Sequence, residues 1–233
     1  MAESRSRGGG PPGAAQTRRS RADRWGRMGP MSSLRGLIVC LPDAPADDLV
    51  GVVEVLIQEG FSTFALPVAA QAYAEVAAIF GARATWGALR ISTVDQVVSA
   101  SAAGARFVLC DVASGRLAEA AAALDMPCYL AAMTPTEVRA VLETSAAGAL
   151  LYPADVIGHA MAPRLAELGL ADRVVPLGGL GAYAAGEWSK AGAPAVCVDS
   201  ALLGDAVAGG SLSLLRDRCG SFVTVEKAMA AGS

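Results

Sequence analysis

Gly148-Ala149-Leu150-Leu151-Tyr152-Pro153-Ala154-Asp155 is one of four stretches built alike. The others run from Gly60 to Pro67, from Gly104 to Asp111 and from Gly192 to Asp199. Each opens with Gly, passes through mostly apolar residues and reaches Pro or Asp seven positions on. Successive Gly residues stand 44 positions apart. A fixed period is a signature of architecture, and a short apolar run between such breakers reads as a buried strand.

Outward from these four, strand, loop and helix alternate. The pattern predicts strands over 37–41, 61–66, 84–89, 106–110, 127–131, 149–152, 173–177 and 195–198. It predicts helices over 45–59, 68–80, 93–103, 114–124, 135–145, 157–168 and 182–190, with C-terminal helices after them. Ser92-Thr93 and Thr134-Pro135-Thr136-Glu137 are helix starts, the second with Pro in the first turn. Apolar strands alternating with helices imply a parallel sheet. Eight such units point to an α/β fold of the (β/α)₈ TIM-barrel type, and the 44-residue period then spans two βα units. A doubly wound open sheet is the alternative, but its GxGxxG turn after strand 1 is missing.

Composition sets limits. The 233 residues suit one moderate domain, and 53% apolar content is enough for a packed core. No apolar run approaches the roughly 18 residues of a membrane span. Residues 1–35 carry eight Arg against Glu3 and Asp23 and are rich in Gly, Pro and Ser, so they are expected to be a disordered basic tail before a domain over 36–233. Arg18-Arg19 suggests a twin-arginine signal, but Leu37–Leu41 is too short for its apolar segment and fits a strand better. Met28 and Met31 are alternative start positions. The body is acidic, which argues against nucleic acid as a partner. Five Cys in odd number, without CxxC spacing, read as buried thiols of a reducing, cytoplasmic compartment.

In a barrel of this type the site lies at the C-terminal strand ends. Asp43, Pro67, Arg90, Cys110 and Asp111, Met133 and Thr134, Tyr152 and Asp155, Gly178 and Gly179, and Asp199 and Ser200 stand there in strand order. Capping of the following helices is the ordinary role of such Asp residues. Their convergence as oxygen ligands for Mg²⁺ is the weaker reading, and no metal or cofactor is expected. Cys110 lacks a His partner, and His159, the one His, falls in the helix predicted after strand 6.

These strand ends resemble a known family. Tyr152-Pro153-Ala154 is similar to the Phe-Pro-Ala after strand 6 of the 2-keto-3-deoxy-6-phosphogluconate / 4-hydroxy-2-oxoglutarate (KDPG/KHG) aldolases. Met133-Thr134-Pro135-Thr136-Glu137-Val138 resembles their Ala-Thr-Pro-Ser-Glu-Val, and Gly178-Gly179-Leu180 their Gly-Gly-Ile. Ala195-Val196-Cys197-Val198-Asp199-Ser200-Ala201-Leu202 resembles Ala-Val-Gly-Val-Gly-Ser-Ala-Leu, and Thr93-Val94-Asp95-Gln96-Val97 resembles Thr-Pro-Glu-Gln-Val. The matches keep family order over roughly residues 36–205.

The resemblance implies a homotrimeric lyase that cleaves a 2-oxo acid to pyruvate and an aldehyde. It also implies a Schiff-base Lys on strand 6 and a proton-transferring Glu on strand 2. Aligned on Pro153-Ala154, the Lys position is Leu150; by the internal period it is Pro153. The Glu position is Ala65, and the Arg that follows it in the family is absent from Leu66–Ala70. The chain's only lysines are Lys190 and Lys227. Family chemistry at these positions is therefore not expected. Two functions remain: a divergent lyase binding a small 2-oxo acid or other anion, and a non-catalytic relative binding a metabolite or a partner. The expected binding residues are Arg90, Cys110, Asp111, Thr134, Tyr152, Gly178, Gly179, Asp199 and Ser200. The resemblance places a phosphate on backbone amides after strands 7 and 8, where Asp199 replaces a Gly and is expected to repel it.

Overall fold

The computed structural model describes Met1 and residues 34–231. The chain divides into two units, Met1–Pro30 and Met31–Ser233, and every element below belongs to the second. The expected tail lies, apart from Met1, Leu34 and Arg35, outside the described residues.

The eight strands are β1 Gly36–Cys40, β2 Thr63–Pro67, β3 Thr85–Ile91, β4 Val108–Cys110, β5 Cys128–Ala132, β6 Gly148–Leu151, β7 Val174–Pro176 and β8 Ala195–Val198. They form one parallel sheet in the order β7-β6-β5-β4-β3-β2-β1-β8. The sheet curls until its end strands β7 and β8 lie side by side, a nearly closed (β/α)₈ barrel. The helices are α1 Ala46–Gln58, α2 Tyr73–Phe80, α3 Val94–Ala102, α4 Gly115–Ala122, α5 Pro135–Leu142, α6 Ala154–Ile157, α7 Met161–Glu167, α8 Ala182–Lys190, α9 Ser200–Leu203 and α10 Leu212–Ala231.

Successive strand residues point to opposite faces, and the barrel uses this to build two cores. Leu37 and Val39, Phe64 and Leu66, Ala149 and Leu151, and Val196 and Val198 face the helix layer. Ile38 and Cys40, Ala65, Leu150, and Ala195 and Cys197 fill the interior, with Phe107, Leu109, Tyr129 and Val175. The plug is apolar throughout save one hydroxyl: Tyr129 accepts from the Leu34 N–H at 3.1 Å near the N-terminal end.

The four periodic glycines do two different jobs. Gly60, Gly104 and Gly192 have φ of 104°, 88° and 103° and end α1, α3 and α8. The residue after each donates to the carbonyl five positions back: Phe61 to Leu56 O, Ala105 to Ala100 O and Ala193 to Trp188 O. This is the Schellman stop, which needs the left-handed backbone that Gly adopts freely. Gly148 is instead the first residue of β6 itself. A Cβ there would sit 2.5 Å from the Arg173 carbonyl oxygen and 3.1 Å from the Tyr129 ring. The third stretch is thus displaced by about three residues relative to the other three, and the 44-residue spacing at that point is not a structural repeat.

Other expectations need correcting. The helix expected over 157–168 is two short pieces, α6 and α7, broken at Gly158 with φ 80°. His159 therefore lies in the turn between them, edge-on to Tyr183 at 5.3 Å between ring centroids. Helix α2 begins at Tyr73 rather than 68, because Pro67–Tyr73 turns on the bonds Ala70 N to Pro67 O and Tyr73 N to Ala70 O.

Candidate active site at the barrel mouth

At the C-terminal end of the barrel lies a cavity of about 520 Å³ framed by the ends of β1, β2, β3, β7 and β8. Its floor is the top of the apolar plug, Cys40, Leu89 and Leu177, and its charged wall is Asp43, Arg90 and Asp199. Leu203, Gly204 and Val207, after β8, complete the rim. Helices are expected after strand 8, and Leu203 does end one of them, α9. Gly204-Asp205 was the available sign that a loop interrupts them.

Arg90 does not follow β3, as expected, but lies inside it. Ala88 and Ile91 both face the helix layer although three positions apart, so the strand carries one extra residue. Arg90 takes up that bulge with φ 63°, a left-handed conformation rarely adopted outside Gly and Asn. The bulge turns its side chain to the mouth, where Nη1 donates to Asp111 Oδ1 at 3.3 Å and the guanidinium carbon stands 5.2 Å from the centre of the Tyr152 ring. Partial burial disfavours the charge, but the Tyr152 hydroxyl and the Asp111 carboxylate outweigh it and hold the guanidinium pKa above its ordinary value. The ion pair leaves 46% and 37% of the two side chains exposed, so it holds Arg90 only weakly.

The nine residues expected to bind do not all converge. Arg90, Asp199 and Ser200 line the cavity. Asp111 and Tyr152 reach it through Arg90. Thr134 is committed to a cap: its hydroxyl donates to Glu137 Oε2 at 3.0 Å and accepts the Glu137 N–H at 3.3 Å. Cys110 is turned away from the mouth into the helix-side core, with its Sγ 3.6 Å from Cys128 Sγ. That neighbouring thiol, and then burial, push the Cys110 pKa far up, so no thiolate is available there. All five cysteines are free and buried.

The Asp residues expected as helix caps act otherwise. Asp111 pairs with Arg90, and Asp155 accepts the Val156 N–H at 2.9 Å. Asp43 makes no side-chain hydrogen bond to the described residues and lines the cavity. Asp199 holds the N-cap position of α9 without capping it; its Oδ1 and Oδ2 accept the Gly179 N–H at 3.1 and 3.2 Å, across the seam between β7 and β8. Gly178 and Gly179, with φ of 119° and 58°, form the turn that aims this N–H. A Cβ on Gly179 would lie 2.6 Å from Asp155 Oδ2, so the turn is clasped between two carboxylates. Among the described residues no three His, Cys, Asp or Glu side chains gather as a metal site.

The model of the KDPG and KHG aldolase family matches residues 34–211. The chain belongs to that family. Solved structures agree on the fold of KDPG/KHG aldolases. A 4-hydroxy-2-oxoglutarate / 2-dehydro-3-deoxyphosphogluconate aldolase from TTHB1 matches with TM-score 0.72 at 24% identity, over 85% of this chain and 98% of that one. A native KDPGal structure gives 0.73 at 21% identity, over 84% and 96%. The Legionella pneumophila KDPG aldolase, with pyruvate captured as a covalent carbinolamine, gives 0.69 at 19% identity, over 84% and 96%. No curated protein matches the chain in sequence.

The structure also places the two positions that the resemblance assigned to Glu and Lys. Ala65 and Leu150 both face the barrel interior, at 0% and 1% exposure. Pro153, the alternative Lys position, lies beyond the end of β6. Lys190 is on α8, bound to Glu187 Oε1 at 2.7 Å, and Lys227 is on the exposed side of α10.

Proposed function

We propose that this KDPG/KHG-aldolase-family barrel binds a small 2-oxo acid or related anion at its mouth without Schiff-base chemistry, as a non-catalytic member. One observation carries the reading. The interior positions that the resemblance assigns to Glu and Lys hold Ala65 and Leu150, and both are closed into an apolar plug. An imine needs an amine within bonding reach of the ketone carbon, and the chain's two lysines sit on outer helices. Arg90 supplies the anion contact. Its pair with Asp111 is weak, and a carboxylate ligand offers the planar guanidinium a bidentate partner instead.

Assembly as a homotrimer and a cytoplasmic location belong to the same proposal. So does the division into a basic tail over 1–35 and a barrel over 36–233. No helix of the described residues is long and apolar enough to cross a membrane.

The test is direct. The protein is incubated with 4-hydroxy-2-oxoglutarate and with 2-keto-3-deoxy-6-phosphogluconate, and pyruvate release is followed through lactate dehydrogenase, with and without Mg²⁺. No turnover above background is expected. Borohydride with pyruvate is expected to leave the protein mass unchanged, and an adduct would overturn the reading.

A further inference from the structure

The seam between β7 and β8 carries an arrangement that goes beyond loss of the interior chemistry. Loops after the seventh and eighth strands are where barrels of this kind gather backbone N–H groups for phosphate, and a carboxylate satisfies such a donor in the same way. Here the Gly179 N–H is already taken. Both oxygens of Asp199 lie within 3.2 Å of it. The side chain reaches it from the neighbouring strand end and leaves its own helix uncapped. The Ser200 hydroxyl lies 3.5 Å from Asp199 Oδ1. Behind the turn, Asp155 fills the space that any side chain on Gly179 would need. In front of it the cavity is lined by a second carboxylate, Asp43, and by one cation, Arg90, which is already engaged with Asp111.

We propose that Asp199 is a built-in anion that occupies the backbone anion site of this barrel, so that the mouth takes small ligands lacking a phosphate group. Asp199 is then a specificity-determining residue. A phosphate dianion competing for the Gly179 N–H would meet a charge of its own sign within hydrogen-bonding distance of the same donor. The ligand class narrows accordingly, to an unphosphorylated acid that is small enough for about 520 Å³ and has one carboxylate for Arg90. This deepens the proposed function and rests on the same cavity, but its test does not depend on Arg90.

The experiment measures binding of inorganic phosphate and of 3-phosphoglycerate by calorimetry and by ³¹P line broadening, on the wild-type chain, on Asp199→Gly and on Asp199→Asn. Wild type is expected to bind neither with saturation. Asp199→Gly is expected to bind both, about tenfold or more tighter than wild type, with the Gly179 amide resonance shifting as phosphate is added. Asp199→Asn removes the charge, keeps the side chain's bulk and an acceptor, and serves if Asp199→Gly melts early; it is expected to gain phosphate affinity in the same direction. Saturable phosphate binding by wild type that moves the Gly179 amide overturns the proposal. So does a folded variant of either kind with no gain. Pyruvate binding that is lost in Arg90→Ala but unaffected by phosphate in wild type supports both readings. Failure of pyruvate binding alone counts against the proposed function and leaves the phosphate result to decide this one.

Discussion

The barrel's interior and its mouth are made by the same eight strands, one register step apart, and they have diverged in opposite directions. Inside, Ala65, Leu150, Leu109 and Cys197 form a plug with no charge and one hydroxyl, Tyr129. At the rim, Asp43, Arg90, Asp111, Asp155 and Asp199 crowd the loops, and four of the five have partners there. Packing alone accounts for the first region, since aliphatic side chains at close-packed density need no other reason. It does not account for the second. A left-handed Arg in a bulge and a carboxylate reaching across the seam cost conformational freedom that burial does not return. The difference teaches that a barrel can pack its interior with apolar side chains and still keep a charged entrance.

The largest effect should come from forcing the interior to resemble the mouth. Leu150→Lys puts an ammonium into the plug with no partner. It is expected to destabilise the fold by about 3–5 kcal/mol in urea unfolding. Adding Ala65→Glu, which offers a carboxylate in the same plug, should recover part of the loss. If Leu150→Lys is tolerated within 1 kcal/mol or so, the plug is wetter than described and the contrast fails.

Gly148→Ala tests the same wall from its backbone. The added methyl would meet the Arg173 carbonyl, which cannot rotate away, and a cost of about 2–3 kcal/mol is expected. Gly60→Ala has open space around it and should cost less, about 1–2 kcal/mol, through its backbone angle alone. Equal losses at the two sites would mean that these glycines play the same part after all.

At the mouth the expected signature is reversed, with little change in stability and a change in binding. Arg90→Ala should leave the melting midpoint nearly unchanged and weaken pyruvate binding about tenfold in calorimetry. Unchanged affinity would remove Arg90 from the ligand's path.

The smallest effect lies at the N-terminal end of the barrel, away from the mouth. Glu226 of α10 accepts the Leu37 N–H, and burial raises its pKa above the ordinary 4.5 despite that hydrogen bond. A carboxyl whose folded pKa lies above its unfolded value supports folding when protonated. The contribution is full below 4.5 and is lost as pH rises through the higher folded value. Glu226→Gln should flatten that part of the stability profile, read as melting temperature against pH. A slope that persists in the variant would assign it to another group.

Much of the fold was legible because its signals are local. Apolar runs of four or five residues and Schellman glycines need only near neighbours to be read. The helix starts expected at Thr93 and Thr134 are equally local, and the structure closes both with capping boxes. Beyond the local breaks at Gly158 and Pro67–Tyr73, the misreadings are places where distant residues decide. Gly148 matches the period of the others but is fixed by Tyr129 and Arg173, so spacing alone misassigned it. Cys110 has the right position along β4 and the wrong face, which only the barrel's curvature determines. Asp199 looked like a cap for the helix that follows, but the stronger claim on it comes from Gly179, in the turn after the neighbouring strand.

That last bond has a consequence for motion. The strand ladder ends at β7 on one side and β8 on the other, so the ring should open first at this seam. Local opening is read by exchange of amide protons with solvent. Among the described residues the Gly179 proton is held only by Asp199, and its exchange rate in D₂O therefore gauges how often the barrel parts beside the cavity. A ligand that settles against Asp199 should slow that exchange, whereas one bound elsewhere in the mouth should not.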